Sequence, residues 1–279
     1  MNITDAEFVR GFIRMCDDGW KQGWHERNGG NLSYRIKPEE VELVRPGFSD
    51  RGEWKPAGTA VPELAGEFFM VTGSGRYFSN VARSPEETTC IIELDDRGEN
   101  YRICSGLTDG GTPTSELPGH LMSHAVKKRV SGGAYRVIYH AHPANIIALT
   151  FVLPLESRVF TRELWEMEPE CAMVFPAGIG VAGWMVPGGK EIAEVTGRLM
   201  EEYDVAVWAH HGMFCAGEDF DLTFGLMHTV EKAAEILVKT LSMRQGKRQT
   251  VTTDQLRRLA GELGLTLPEK FLYGKEENC

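Results

Sequence analysis

Residues 135–145 read YRVIYHAHPAN. Val137, Ile138 and Tyr139 are β-branched or aromatic, which favours a strand running to His140. Pro143 is a favoured first-turn residue, so a helix is expected to follow it. Successive side chains of a strand alternate between faces, so His140 and His142 project to the same side. Two imidazoles on one face suit Zn²⁺ and similar metals. The same spacing also occurs in solvated or hydrogen-bonded pairs, and eight histidines in 279 positions produce some such pairs by chance.

A second stretch, DVAVWAHHG at 204–212, also reads as a strand ending in histidine. One imidazole from His210 or His211 would complete three protein ligands and leave a metal position open, the pattern of a catalytic site. The other would pack or support a ligand. Strand parity does not choose between them without knowing where pairing ends.

Outward from these two stretches, strands and helices interleave. A helix is expected from Asp5 to Gln22, with Thr4 and Glu7 at capping-box spacing and Phe8, Phe12, Cys16 and Trp20 on one face. Leu32, Tyr34 and Ile36 alternate as a strand. Residues 37–66 have no clear period and read as a surface excursion. FFMVT from Phe68 is strand-like. Ile91–Asp95 and Tyr101–Ser105 form a hairpin. A helix is expected from Ser115 to Arg129. CAMVF (171–175) reads as a strand, Lys190–Tyr203 and Phe220–Leu241 as helices, and residues 247–279 as a short helix with a polar tail. This order implies one α/β domain of layered architecture over residues 1–279, with sheet order and parallelism left open.

The chain carries 30 basic and 40 acidic residues, a net charge of −10. That disfavours duplex nucleic acid as a partner, since such binding needs a basic face. An anionic small substrate would need local neutral donors or a metal. Hydrophobic residues make up 42%, which is ordinary globular composition. The nearly apolar run Ala144–Leu153 is too short to span a membrane. The start, MNITDAEFVR, has neither a basic region nor an apolar core for secretion, so a cytoplasmic protein with six free cysteines is expected.

Three turns carry small polar residues: Asn28-Gly29-Gly30-Asn31, Thr72-Gly73-Ser74-Gly75 and Thr112-Pro113-Thr114-Ser115-Glu116. Each alone is a routine turn or helix cap. The third could also hold an anion on free N–H groups and hydroxyls. No Walker or dinucleotide fingerprint is present.

Taken together, NGGNL at 28–32, VTGSG at 71–75, PTSELPGH at 113–120, HAHPAN at 140–145 and HHG at 210–212 occur in the order seen in the class II zinc-dependent sugar-phosphate aldolase and epimerase family, which this chain resembles over nearly its whole length. The resemblance implies a single three-layer α/β/α domain around a largely antiparallel sheet. It implies one Zn²⁺ per subunit held by His140, His142 and His211, with Glu116 as catalytic acid/base. Asn28, Gly30, Asn31, Ser74, Gly75, Thr114 and Ser115 match the phosphate pocket, and Glu170 matches a second functional carboxylate. The implied reaction is cleavage of a ketose 1-phosphate by a homotetramer, with neither nucleic acid nor membrane as partner. Epimerase relatives carry Asp where this chain has Glu116, whereas a dehydratase subgroup shares the Glu. His120 and His124, one turn apart near Glu116, read as packing or supporting residues. His25 reads as a helix-end or surface residue. A non-catalytic zinc protein of the same fold is the rival from another class.

Overall fold

The computed structural model describes residues 3–49 and 52–273. Nine strands form one sheet: β1 (Asn31–Arg35), β2 (Lys55–Pro56), β3 (Phe68–Thr72), β4 (Thr89–Leu94), β5 (Asn100–Gly106), β6 (Val137–Ala141), β7 (Gly180–Ala182), β8 (Val205–Trp208) and β9 (Gly212–Gly217). Their spatial order is β2-β5-β4-β3-β1-β6-β9-β8-β7. Every neighbouring pair is antiparallel except β7 with β8.

The Leu117–Val130 and Lys190–Glu202 helices cover one face. There Leu117 and Leu121 meet Phe69, Val71 and Ile92, and Ile192 and Met200 meet Ile138, Trp208 and Phe214. The other face is covered by the Glu7–Lys21, Ala144–Leu149, Ser157–Trp165 and Phe220–Ser242 helices, whose apolar residues join Leu32, Tyr34, Val137 and Tyr139. This is the expected three-layer α/β/α arrangement, largely antiparallel.

Several local expectations are corrected. The first helix begins at Glu7 behind a 3₁₀ turn at Ile3–Asp5. Ala6, fully buried, occupies the N-cap position, so the Thr4–Glu7 capping box does not form. CAMVF lies in the Pro169–Val174 helix, not a strand. Five apolar residues are too few for periodicity to decide, and Pro169 starts the helix. Residues 37–66 are not a bare excursion. They contribute a Pro38–Val44 helix, the edge strand β2 and buried Val41, Val44, Val61 and Leu64. Beyond the Thr253–Leu263 helix the tail is not simply polar, because Phe271 is fully buried against Trp165. Five cysteines are free and buried, and Cys279 lies outside the described residues. No helix among the described residues is long and apolar enough to cross a membrane.

Candidate active site

Pairing of β6 with β9 and of β9 with β8 brings the two histidine-bearing strand ends side by side. His140, the penultimate residue of β6, stacks on Phe214 at 4.3 Å between ring centroids. His142 follows on the same side, as strand parity requires, with its Nε2 3.3 Å from Nε2 of His140. β8 ends at Trp208, and the chain turns through His210 at φ +62°. That turn sends His210 toward Thr150 and Phe151 and returns His211, whose Nε2 lies 3.1 Å from Nε2 of His142. One ligand atom from each of His140, His142 and His211 therefore lies within 4.8 Å of the others, and this is the one such cluster among the described residues.

Two of the ring tautomers are fixed from behind. His140 Nδ1–H donates to the Met213 carbonyl at 3.1 Å, and His142 Nδ1–H donates to Glu26 Oε1 at 2.7 Å. Both leave Nε2 as a bare lone pair aimed at the cluster. Burial pushes the His140 pKa well below its ordinary value and that of His211 down to about 4, so these rings favour the neutral, ligating form. The two bare lone pairs of His140 and His142 and the Nε2 of His211 converge on one point that a cation could occupy. The donor set thus fits a divalent metal such as zinc, with room for a further ligand.

Glu116 stands at the N-cap of the Leu117–Val130 helix, Oε2 3.9 Å from Nε2 of His140. Burial raises its pKa, and the Asn31 amide donating at 3.1 Å partly opposes this. A cavity of about 370 Å³ opens beside it, lined among others by Gly58, Thr59, Met122, Ile192 and Trp208. Segment 37–66 therefore reaches the neighbourhood of the site.

The three polar turns gather at the same end of the sheet. The Ser74 N–H donates to the Thr112 carbonyl and the Thr114 N–H to that of Thr72, so the second and third turns lock together. Ser74 and Ser115 are exposed, Thr114 is buried, and Gly75 turns at φ +70°. Asn28 is exposed in the first turn. At Gly30 (φ +75°) a Cβ would stand 2.5 Å from His25 Nδ1 and 2.6 Å from the His140 carbonyl, so only glycine fits. Asn31 is buried, its amide already engaged with Glu116 and His120. Glu170 is not brought to the histidines. It lies exposed in the first turn of the Pro169–Val174 helix.

His25 is not a surface residue. It is buried, stacked 3.7 Å above Phe78, and bonded to the Gly29 carbonyl and the Tyr139 hydroxyl. It thereby holds the first glycine turn onto β6. Burial lowers its pKa to about 3. Sequence reasoning missed this role and that of Glu26. Their only signal is adjacency to the NGGN turn.

A three-imidazole cluster suited to a divalent metal, with a largely buried carboxylate at its edge on an α/β/α frame, is the arrangement of a metal-dependent enzyme. The chain belongs to the class II aldolase and adducin N-terminal domain family, which it matches over residues 10–238. It is 48% identical over 265 residues to the rhamnulose-1-phosphate aldolase of Mannheimia succiniciproducens, covering 95% of this chain and 97% of that protein. It is 44% identical over 270 residues to the enzyme of the same name from Pectobacterium atrosepticum, covering 97% and 98%. Among solved structures, a sugar-phosphate aldolase from Thermotoga maritima superposes with a TM-score of 0.73 at 27% identity, covering 86% of this chain and 97% of that one.

Proposed function

We propose that this chain cleaves L-rhamnulose 1-phosphate to dihydroxyacetone phosphate and L-lactaldehyde, as the names of its near-full-length relatives indicate. It is an aldehyde-lyase of the metal-dependent class II aldolase family. The observation that carries the site reading is the Glu116 carboxylate 3.9 Å from the three-histidine cluster.

His140, His142 and His211 would hold the metal, for which zinc suits the all-nitrogen donor set. When bound, a divalent cation supplies Lewis-acid stabilisation of negative charge on substrate oxygens, and three neutral ligands leave it its full charge. Cleavage breaks the C3–C4 bond. A base takes the proton of the C4 hydroxyl as the aldehyde forms, and an acid returns a proton to C3, where the bonding electron pair is left. Glu116, buried enough to raise its pKa, is suited to take and return that proton. Asn28, Ser74, Thr114, Ser115 and the backbone of the glycine turns would hold the phosphate with neutral donors. This reconciles an anionic substrate with an acidic chain. The cavity beside Glu116 would take the aldehyde half. Glu170, exposed and outside the histidine cluster of its own chain, would act across a subunit contact in a homotetramer. The whole chain would work as one domain in the cytoplasm.

The test is cleavage of L-rhamnulose 1-phosphate and L-fuculose 1-phosphate side by side, with and without a chelator, following dihydroxyacetone phosphate through NADH. Chelator-sensitive release from the first sugar supports the reading. Release only from the second overturns the substrate assignment. Release from neither, with metal bound, overturns the activity.

A further inference from the structure

β1 offers two unlike faces. Leu32 and Tyr34 enter the apolar core, whereas Asn31 and Ser33 point into the interface with the Leu117–Val130 helix. His120 and His124, one turn apart on that helix, meet them. All four are buried, and both imidazoles have no solvent exposure at all. Such an interface is normally filled with apolar side chains, because buried polar groups gain little unless every partner is present.

The contacts form one line. His124 Nε2 lies 2.8 Å from Ser33 Oγ, and Ser33 Oγ lies 2.6 Å from His120 Nδ1. His120 Nε2 meets Asn31 Oδ1, and Asn31 Nδ2 meets Glu116 Oε2 at 3.1 Å. Burial keeps both rings neutral, so each has one donor and one acceptor nitrogen. Only one polarity satisfies the line. His124 Nε2–H donates to Ser33, the Ser33 hydroxyl to His120 Nδ1, His120 Nε2–H to the Asn31 carbonyl, and the Asn31 amide N–H to Glu116. The far end is then the lone pair of His124 Nδ1, which indeed has no partner. The reverse polarity would bury an unpaired N–H there and turn the Asn31 carbonyl onto a carboxylate, and both are unfavourable.

We propose that Ser33, His120 and His124 are positioning residues that fix the orientation of the Asn31 amide and, through it, the Glu116 carboxylate for proton transfer. This rests on the reading of Glu116 as the acid/base. His120 is the decisive member, because its two nitrogens couple the serine to the amide. Misplacing a reacting group by about 1 Å costs on the order of a hundredfold in rate. Losing the orienting bond affects turnover rather than substrate affinity, since Ser33, His120 and His124 are fully buried behind Asn31 and touch no substrate themselves.

The experiment compares His120→Leu, His120→Gln, Ser33→Ala and Glu116→Ala as metal-loaded full-length enzymes. Metal content and kcat and KM for L-rhamnulose 1-phosphate are measured for each. His120→Leu is expected to lower kcat roughly 10- to 100-fold with KM within about twofold and metal content unchanged. Gln can donate to Asn31 and accept from Ser33, so His120→Gln is expected to recover kcat to within about threefold of wild type. Ser33→Ala, a mild truncation that keeps the fold, is expected to lower kcat about three- to tenfold at unchanged KM. Wild-type kcat in His120→Leu or in Ser33→Ala overturns the proposal, as does equal loss in the Leu and Gln variants. Near-wild-type kcat in metal-loaded Glu116→Ala overturns instead the reading beneath it, whatever the other variants do.

Discussion

Removing Glu26 tests the metal centre without touching a ligand. Its carboxylate accepts from His142 Nδ1 at 2.7 Å and so fixes the tautomer that presents Nε2 to the cluster. Burial is the largest single influence and raises the Glu26 pKa, but the bond from His142, a backbone hydrogen bond and the neighbouring imidazoles together leave the carboxyl below its ordinary value. A hydrogen bond to a charged group contributes about 1.5–3 kcal/mol when shielded. Glu26 has 67% of its side chain exposed against 14% for His142, so solvent screening places the effect at the lower end. About 1.4 kcal/mol is a tenfold change in dissociation constant. That agrees with the roughly 10- to 100-fold expected for partners standing behind a metal ligand. Glu26→Ala should therefore weaken zinc binding about tenfold. Glu26→Gln keeps an acceptor for Nδ1–H but not the charge, so it should weaken binding only about threefold. The assay is competition with a chromogenic chelator of known affinity, with His142→Ala as the control for loss of a ligand. An affinity for Glu26→Ala within about twofold of wild type would refute the argument that this carboxylate sets the ring's tautomer.

Glu116→Ala should keep its metal and lose roughly 10²- to 10⁴-fold in kcat, the usual worth of a positioned acid/base, as steady-state cleavage would register. Ser74→Ala should raise KM for the sugar phosphate with kcat nearly unchanged, and an unaltered KM places the phosphate elsewhere. It is a cleaner probe than Thr114→Val, because Thr114 Oγ1 also accepts from the Glu116 N–H at 3.3 Å. Gly30→Ala forces a positive φ on a side chain that would press on His25 and the His140 carbonyl, and should cost about 3 kcal/mol, visible as a lowered Tm. His25 and His120 have folded pKa values of about 3 against an ordinary 6.5. Above pH 6.5 neither contributes to the pH dependence. As pH falls below it the unfolded chain binds protons the native chain refuses, so each costs about 1.4 kcal/mol per pH unit, which urea unfolding at two pH values would detect.

What was legible in the sequence was what depends on local period. The His140–His142 parity follows from the two-residue repeat of a strand, and the structure brings both rings to one side. The choice of His211 over His210 was legible only through the family resemblance, because locally it depends on where β8 stops pairing and on a positive φ at His210, and neither leaves a mark in composition. β9 was invisible for a related reason. GMFCAG is short, buried on both faces and does not alternate. The 171–175 run failed because a short amphipathic helix, here with Met173 and Val174 exposed, and an inner strand look alike over five apolar residues.

β1 shows the deeper limit. Alternation there suggests an apolar face toward the core and a polar face toward water, yet Asn31, Ser33 and Arg35 are all buried. A polar residue inside is intelligible only with its partners, and those lie about ninety residues away on another element. The same condition holds for the site as a whole. Burial that keeps His140 and His211 neutral also leaves their nitrogens free to bind a cation, so the folding and metal-binding requirements point the same way. A cation on neutral ligands keeps its charge for the substrate. The carboxylates that approach the cluster, Glu26 and Glu116, stand behind and beside it rather than among the three rings. In a chain of net charge −10, this separation of carboxylates from donors is what lets an acidic protein offer a locally positive, proton-moving site to an anionic sugar.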